Sequence, residues 1–215
     1  MSHNQQLVPG PVAEKGPILK GEQVRLEPLS LDHVRELAPI ALDPELWRFT
    51  VSQVRTEEDL GAYIAAALRE RDAGTALPFL IRECPTGRAV GSTRFGNIDV
   101  RNRRVEIGWT WIGRAWQRTA VNTETKLLLL KYAFETLGCN RVEFKTDVLN
   151  ERSRAALARI GAREEGVMRR HMVTDSGRVR DSVYFSIIAE EWPEVRAKLE
   201  ARLRAGAGSE PQITR

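Results

Sequence analysis

Residues Glu106–Leu137, EIGWTWIGRAWQRTAVNTETKLLLLKYAFETL, decide how the rest of the chain is read. The stretch opens as a strand and passes through a short turn rich in Arg, Gln and Thr. Val121, Leu127, Leu128, Leu130, Phe134 and Leu137 then recur at near-helical spacing, which predicts a helix with one broad apolar face. Gly138 supplies the stop, because glycine takes up the left-handed cap conformation without steric cost. A strand running straight into a helix aims that helix's unpaired N–H groups, and the positive end of its dipole, beyond the strand end. Such a place favours a phosphate, and Arg114 and Arg118 add cationic charge to it. On periodicity alone, the same segment also reads as a buried core helix with a polar first turn.

Working towards the N-terminus, Arg104–Trp111 is the strand that feeds the turn, and Asn97–Arg103 is polar and reads as a turn. Leu77–Glu83 and Arg88–Phe95 are strands joined by the CPTG hairpin turn. Further upstream, Thr56 caps a helix over Glu57–Asp72 with Leu60, Tyr63, Ile64, Ala67 and Leu68 on its apolar face. Ser30 caps another over Leu31–Leu42, and Val24–Glu27 alternates as a strand. Towards the C-terminus, Arg141–Asp147 alternates as a strand, and Asn150–Ile160 is a helix ended by Gly161. Ala162–Val173 and Val179–Ile188 are strands joined by the TDSGR turn, and Glu190–Arg204 is a charged helix. This order predicts an α/β (α+β) domain over residues 22–204, with a loose arm at 1–21 and a disordered tail at 205–215.

The 215 residues, 42% apolar and 29% charged, suit one globular domain with a sizeable core. No apolar run is long enough to span a bilayer and the first residues lack the apolar segment of a secretory signal, so a cytoplasmic protein is expected. Cys84 and Cys139 make neither a disulfide framework nor a zinc site. His3, His33 and His171 show no ligand spacing, so no metal is expected. The net charge of +4 is spread among acidic residues without a long basic run. That balance suits an anionic small ligand, with nucleic-acid binding kept as a secondary alternative.

Gln117, Arg118, Thr119, Ala120, Val121 and Asn122 resemble the acyl-CoA pyrophosphate loop, Gln/Arg-x-x-Gly-x-Gly/Ala, of the GCN5-related N-acetyltransferases, the GNAT superfamily. Ala120 and Asn122 stand at its two glycine positions. The EIGW strand before the loop and the NTE after it resemble the ribosomal-protein-acetylating, RimJ/RimL-type branch, and the likeness runs from Val24 to Trp192. The resemblance implies the GNAT fold: a mixed sheet of about seven strands splayed in the middle, with roughly four to five flanking helices. It implies acetyl-CoA as co-substrate, held by Trp111, Arg114 and the loop residues 117–122. Asn150 would bond the pantetheine arm and Ser153 would lie near the sulfur. The acceptor it implies is a primary amine, on a protein N-terminus or a small molecule. A homodimer is compatible with it, and a membrane partner is not expected.

Acetyl transfer to an amine needs few catalytic groups, because the thioester is already activated. The enzyme must orient it, polarise its carbonyl and take a proton from the ammonium. The family commonly places a carboxylate on the strand before the loop, which implies Glu106 as the base, with Asp181 or Tyr184 in reserve. Glu106 also reads as a simple partner for Arg103 or Arg104, and Asn150 as a plain helix N-cap. Many relatives carry a tyrosine acid where Leu157 stands, leaving Ser153 as the nearest substitute. Trp47, Phe49, Trp109 and Trp111 are candidates for an acceptor pocket, with at most one or two expected to line it. A CoA-binding module without turnover is the alternative function.

Overall fold

The computed structural model describes residues 16–207 of the chain. The expectations for residues 1–15 and 208–215 lie outside the described residues. In chain order the elements are β1 (Leu19–Lys20), β2 (Val24–Pro28), α1 (Val34–Ala41), α2 (Glu57–Asp72), β3 (Leu77–Glu83), β4 (Ala89–Asp99) and β5 (Arg104–Ile112). They continue with α3 (Ala120–Lys131), β6 (Arg141–Asp147), α4 (Glu151–Arg159), β7 (Arg163–Val173), β8 (Val179–Ile188) and α5 (Trp192–Ala207). The eight strands form one sheet in the order β1-β2-β3-β4-β5-β6-β8-β7. All neighbours run antiparallel except β5 and β6, which are parallel.

The strand beyond the expected count is β1, two residues within the expected arm that pair with β2 through Leu19↔Leu26 and Lys20↔Arg25. So short a strand leaves no alternation to read. β4 also runs on to Asp99, through the segment expected to be a turn, because Asp99 pairs with Arg104 across an irregular register. Asn97 absorbs that irregularity at φ 48°, a conformation asparagine tolerates better than most residues.

Alternate residues of the sheet feed two apolar layers. Phe79 and Ile81 of β3 join Phe95, Val105, Val142, Phe144 and Phe185 beneath α3 and α5. Leu80 points the other way, into a second layer with Leu37, Trp47, Leu60, Ile64 and Trp111 beneath α1 and α2. This second layer covers only the β2–β5 side of the sheet. The polar residues of β6 and β8 on the same face carry no helix.

One feature of the sheet creates the site. β5 and β6 pair only at Arg104↔Arg141, Val105↔Val142 and Glu106↔Glu143, although β5 runs on to Ile112 and β6 to Asp147. The cause is a bulge on β5: Ser92↔Trp111 and Arg94↔Gly108 leave both Trp109 and Thr110 opposite Thr93. Trp109 sits at φ 50°, and β4 stays close only because Gly91 has no Cβ, which would lie 2.2 Å from the Trp111 carbonyl oxygen. The strand bends at the bulge and parts from β6.

The buried face of α3 is less apolar than its sequence suggests. Val121, Leu129 and Leu130 are buried as an apolar stripe, but so are Glu124, Thr125 and Lys126, while Leu127 and Leu128 are only half-buried. Glu124 explains its own burial: its carboxylate accepts the backbone N–H groups of Glu22 (3.0 Å), Gln23 (2.7 Å) and Val24 (2.6 Å). Gly21 leaves the space for it, since a Cβ there would lie 2.4 Å from the carboxyl carbon. The turn before β2 is thereby pinned to α3. Glu124→Ala strands those donors and should cost about 3 kcal/mol in denaturant unfolding; a loss below about 1 kcal/mol would mean that water replaces the carboxylate.

Candidate active site

Where β5 and β6 part, Glu106 occupies the last paired position and is only 2% exposed. Its carboxylate accepts from Asn97 Nδ2 at 2.8 Å and pairs with Lys145 Nζ at 3.2 Å. The expected pairing with Arg103 or Arg104 is not the one formed: Arg104 pairs with Asp99 and Glu143 instead. Gly108 keeps the carboxylate free of crowding, since a Cβ there would stand 3.0 Å from Glu106 Oε1. Lys145 lies 5.7 Å from the centre of the Tyr184 ring, and the Tyr184 hydroxyl is 3.4 Å from His171 Nε2. A polar row thus runs from Glu106 along β6 and β8. Asn97, Asp99, Arg104, Glu106, Glu143 and Tyr184 are among the residues lining a cleft of about 720 Å³ at this end.

The other end of the parted strands is the mouth between the loop before α3 and the start of α4. Gln117 braces it by donating from Nε2 to the Ile112 carbonyl (2.8 Å) and accepting from Arg152 at Oε1 (2.7 Å). Arg118 turns the chain at φ 65°, and Thr119 caps α3 by accepting from the Val121 N–H. The N–H groups of the first turn of α3 have no acceptor within the helix. Arg114, Gln117, Arg118 and Asn150 come together around one cleft of about 530 Å³, with Phe49 and Arg152. Arg114 is already paired with Asp43 at 2.5 Å.

Not every expected residue offers its side chain to this site. Asn150 caps α4, accepting from the Ser153 N–H at 3.0 Å, so its amide nitrogen is what remains for a ligand. Trp111 packs its indole against Trp47, 5.7 Å between ring centres, so only its backbone faces the gap. Trp47 is core as well, donating to the Ala41 carbonyl. Trp109 lies across Gly96, with the Arg94 guanidinium 4.2 Å from its ring. Leu157 is buried in the apolar core. Burial pushes both thiols up, Cys139 to about 11, so neither rests as a thiolate at neutral pH. Among the described residues no cluster of metal-ligating side chains occurs, and no helix is long and apolar enough to cross a membrane.

Residues 23–163 match the family described as the acetyltransferase (GNAT) domain. The chain belongs to that family. A GCN5-related N-acetyltransferase from Brucella melitensis is 30% identical with a TM-score of 0.80, covering 87% of this chain and 85% of that one. RimJ of Mycobacterium smegmatis, solved in complex with CoA-disulfide, is 26% identical with a TM-score of 0.72, over 83% of this chain and 88% of that one. YdaF of Bacillus subtilis (strain 168), whose name assigns it provisionally to the ribosomal N-acetyltransferases, is 39% identical over 49% of this chain and 57% of its own length. These relatives support the RimJ/RimL-like branch of the GNAT family, and the open sheet with five α-helices is the GNAT fold.

Four charged residues of the site carry no signal in the local sequence: Lys145 and Arg152, already described, Arg180 on β8, and Lys126. Lys126 is 6% exposed and has no carboxylate partner among the described residues. Its Nζ donates to Thr110 Oγ1 at 2.8 Å, and Thr110 shares a hydrogen bond with Thr93 at 2.7 Å. Thr110 lies beyond the parting, so this amine sits on the α3 side of the gap. Burial without a counter-charge lowers its pKa from the ordinary 10.5 to about 7. Between those values the unfolded chain binds a proton that the folded chain does not, so this group makes stability rise with pH across that window. Its penalty is complete below about pH 7 and gone above about pH 10.5. Lys126→Met should therefore be more stable than the parent by a few kcal/mol at about pH 6 in denaturant unfolding, with the gain fading towards about pH 10. A variant less stable at every pH would show the amine to be well compensated.

Proposed function

We propose that the protein transfers the acetyl group of acetyl-CoA directly to a primary amine in a ternary complex, with Glu106 as the base. The observation that carries this reading is the opposite charge of the two clefts at the ends of the parted strands. The cleft at the mouth has Arg48, Arg114, Arg118 and Arg152 against Glu45 and Glu151, an excess of two positive charges. The lining of the cleft at the vertex has Asp99, Glu106 and Glu143 against Arg104, an excess of two negative charges that Lys145, paired with Glu106 from outside the lining, reduces to one. A polyphosphate is attracted to the first and an ammonium to the second. The gap between them has room for an extended thioester arm, and the CoA-disulfide bound by the RimJ relative is consistent with that use of the fold.

In this reading the pyrophosphate rests on residues 114–122 and the N-terminus of α3. Arg118 supplies charge, Gln117 and Thr119 hold the loop in shape, and Ala120, Val121 and Asn122 present backbone N–H groups. Asn150 offers its amide nitrogen to the pantetheine arm. The ammonium of the acceptor enters among the carboxylates and gives a proton to Glu106, directly or through a water. The free amine then attacks the thioester carbonyl. Backbone N–H groups that β5 would otherwise give to β6 are placed to receive the negative oxygen. As the tetrahedral species collapses the C–S bond breaks, and the second proton of the attacking nitrogen passes to the departing sulfur through the Ser153 hydroxyl at the start of α4 or through a water, so that CoA leaves as the thiol. Both thiols being protonated, no cysteine acyl-enzyme is called for. A protein N-terminus and a small-molecule amine both satisfy this chemistry.

Leu157, buried where many relatives have a tyrosine acid, favours a second reading in which CoA is bound with little turnover. Thiol release from acetyl-CoA across a panel of amines separates the two. Glu106→Gln should lower that turnover by roughly 10²–10⁴-fold, leave acetyl-CoA affinity nearly unchanged and erase the acidic limb of the pH–rate profile. A change under about tenfold would remove Glu106 from the role of base.

Arg118→Glu should weaken acetyl-CoA binding by about 1–3 kcal/mol in calorimetric titration. Unaltered affinity would make Arg118 solvated surface.

A further inference from the structure

Five buried side-chain polar atoms lack a hydrogen-bond partner among the described residues, and three of them, His171 Nδ1, Arg180 Nε and Ser182 Oγ, lie on β7 and β8. Arg180 and Ser182 project from the polar face of β8, which carries no helix and also holds Tyr184 and, across on β6, Lys145. Arg180 is 5% exposed and Ser182 fully buried. The Arg180 guanidinium makes no hydrogen bond to any described residue. Its nearest carboxylate is Asp147, 3.9 Å away, and that carboxylate already receives the Leu149 N–H and a much closer contact from Arg178. Asp181 cannot help, since its carboxylate accepts the Arg170 N–H at 2.6 Å.

The local charges do not cancel. Arg178, Arg180 and Lys145 face Asp147 and Glu106, so one positive charge is uncompensated. His171 does not restore the balance, because burial and the charges of Lys145 and Arg180 push its pKa down and keep it neutral. A lysine in such a place could shed its proton; an arginine cannot. A buried guanidinium with its N–H groups unbonded is costly, and a planar carboxylate is the group whose geometry matches it. The position also fits an acceptor. The charge of Glu106 reaches both Arg180 and His171, and Ser182 pairs in register with Met168, which lines the acidic cleft. The turn between β7 and β8 is tied to the loop before α2, through Asp175 N–H to the Val51 carbonyl (2.9 Å) and Gln53 N–H to Asp175 Oδ2 (3.1 Å), so the two loops meet above this end of the face.

We infer that the acceptor carries a carboxylate as well as its amine, and that Arg180, Ser182 and His171 form the pocket for that carboxylate. The inference rests on Glu106 receiving the amine. Arg180 and Ser182 donate to the carboxylate oxygens, and His171 adds an N–H when its Nδ1 is protonated. The pocket sets the distance between the two ends of the acceptor, so ω-amino acids are favoured over simple amines, and an amide in place of the carboxylate leaves the guanidinium without its anion.

Two measurements test it. The first is the melting temperature of the full chain, in buffer free of carboxylates and then with glutarate, for the parent and for Arg180→Met and Ser182→Ala. Glutarate should raise the melting temperature of the parent, do so less in Ser182→Ala, and leave Arg180→Met unmoved. Without glutarate, Arg180→Met should melt no lower than the parent, since it removes a buried charge that lacks a partner. The second measurement is kcat/KM for matched acceptors, β-alanine and 5-aminovalerate against their amides. The parent should favour the carboxylates by at least about tenfold, and Arg180→Met should lose the preference. Melting that glutarate does not change, or changes equally in Arg180→Met, overturns the pocket, as does equal use of acids and amides. An Arg180-dependent glutarate shift with no turnover of any amine upholds the pocket and counts against acetyl transfer. Turnover without a carboxylate preference does the reverse.

Discussion

The protein depends on a strand pair that stops. Every buried backbone N–H and C=O group needs a partner, and sheet edges inside a domain ordinarily find one in the next strand. Here β5 and β6 begin as parallel neighbours and separate after Glu106 and Glu143, because the extra residue at Trp109 and Thr110 bends β5 away. The separation leaves two facing strand edges in the middle of the sheet. A thin, extended, amide-containing molecule is the natural filling, since it can satisfy both edges without closing the sheet. The bulge is held by neighbours that have no freedom to relax it: Gly91 must lack a side chain, and Arg94 stacks on Trp109.

Charge also distinguishes the two ends. Arginines from the α3 loop, α4 and the segment after α1 collect at the mouth, and carboxylates from β4, β5 and β6 at the vertex. Most of these groups are satisfied within the free protein, as Arg152 is by Gln117 and Glu106 by Asn97 and Lys145. The side chains of both clefts are therefore held in place by bonds within the protein. Two cations depart from that pattern. Lys126 is relieved by losing its proton, while Arg180 has no such escape, and that difference is why one reads as a strained structural element and the other as half of a binding site.

The sequence made the regular elements legible wherever a local signal was complete. Thr56, with Asp59 three residues on, forms a capping box that opens α2, and the alternation over Arg141–Asp147 matches β6. The passage from β5 into α3 was legible because a strand end, a polar turn and a capping threonine are local signals. The bulge was not, because nothing about a tryptophan announces a left-handed conformation; packing on Gly96 and pairing with β4 impose it. The partner of Glu106 was misread for a related reason. Arg104 stands two residues away on the same face of β5 but is drawn to Asp99 and Glu143, and the amine that reaches Glu106, Lys145, is 39 residues distant. Buried charges on α3 and β8 were hidden because a lysine or arginine in an alternating pattern looks like a solvated position until the fold covers it.

The central claim, that acetyl-CoA fills the gap between β5 and β6, is tested most directly by amide hydrogen exchange on residues 107–112 and 144–147 with and without acetyl-CoA. β3 serves as an internal reference, because it has a strand neighbour on each side. Acetyl-CoA should slow exchange in the two parted segments and at the start of α3, and leave β3 unchanged. Exchange in those segments that does not respond to saturating acetyl-CoA, or that slows equally in β3, would contradict the account.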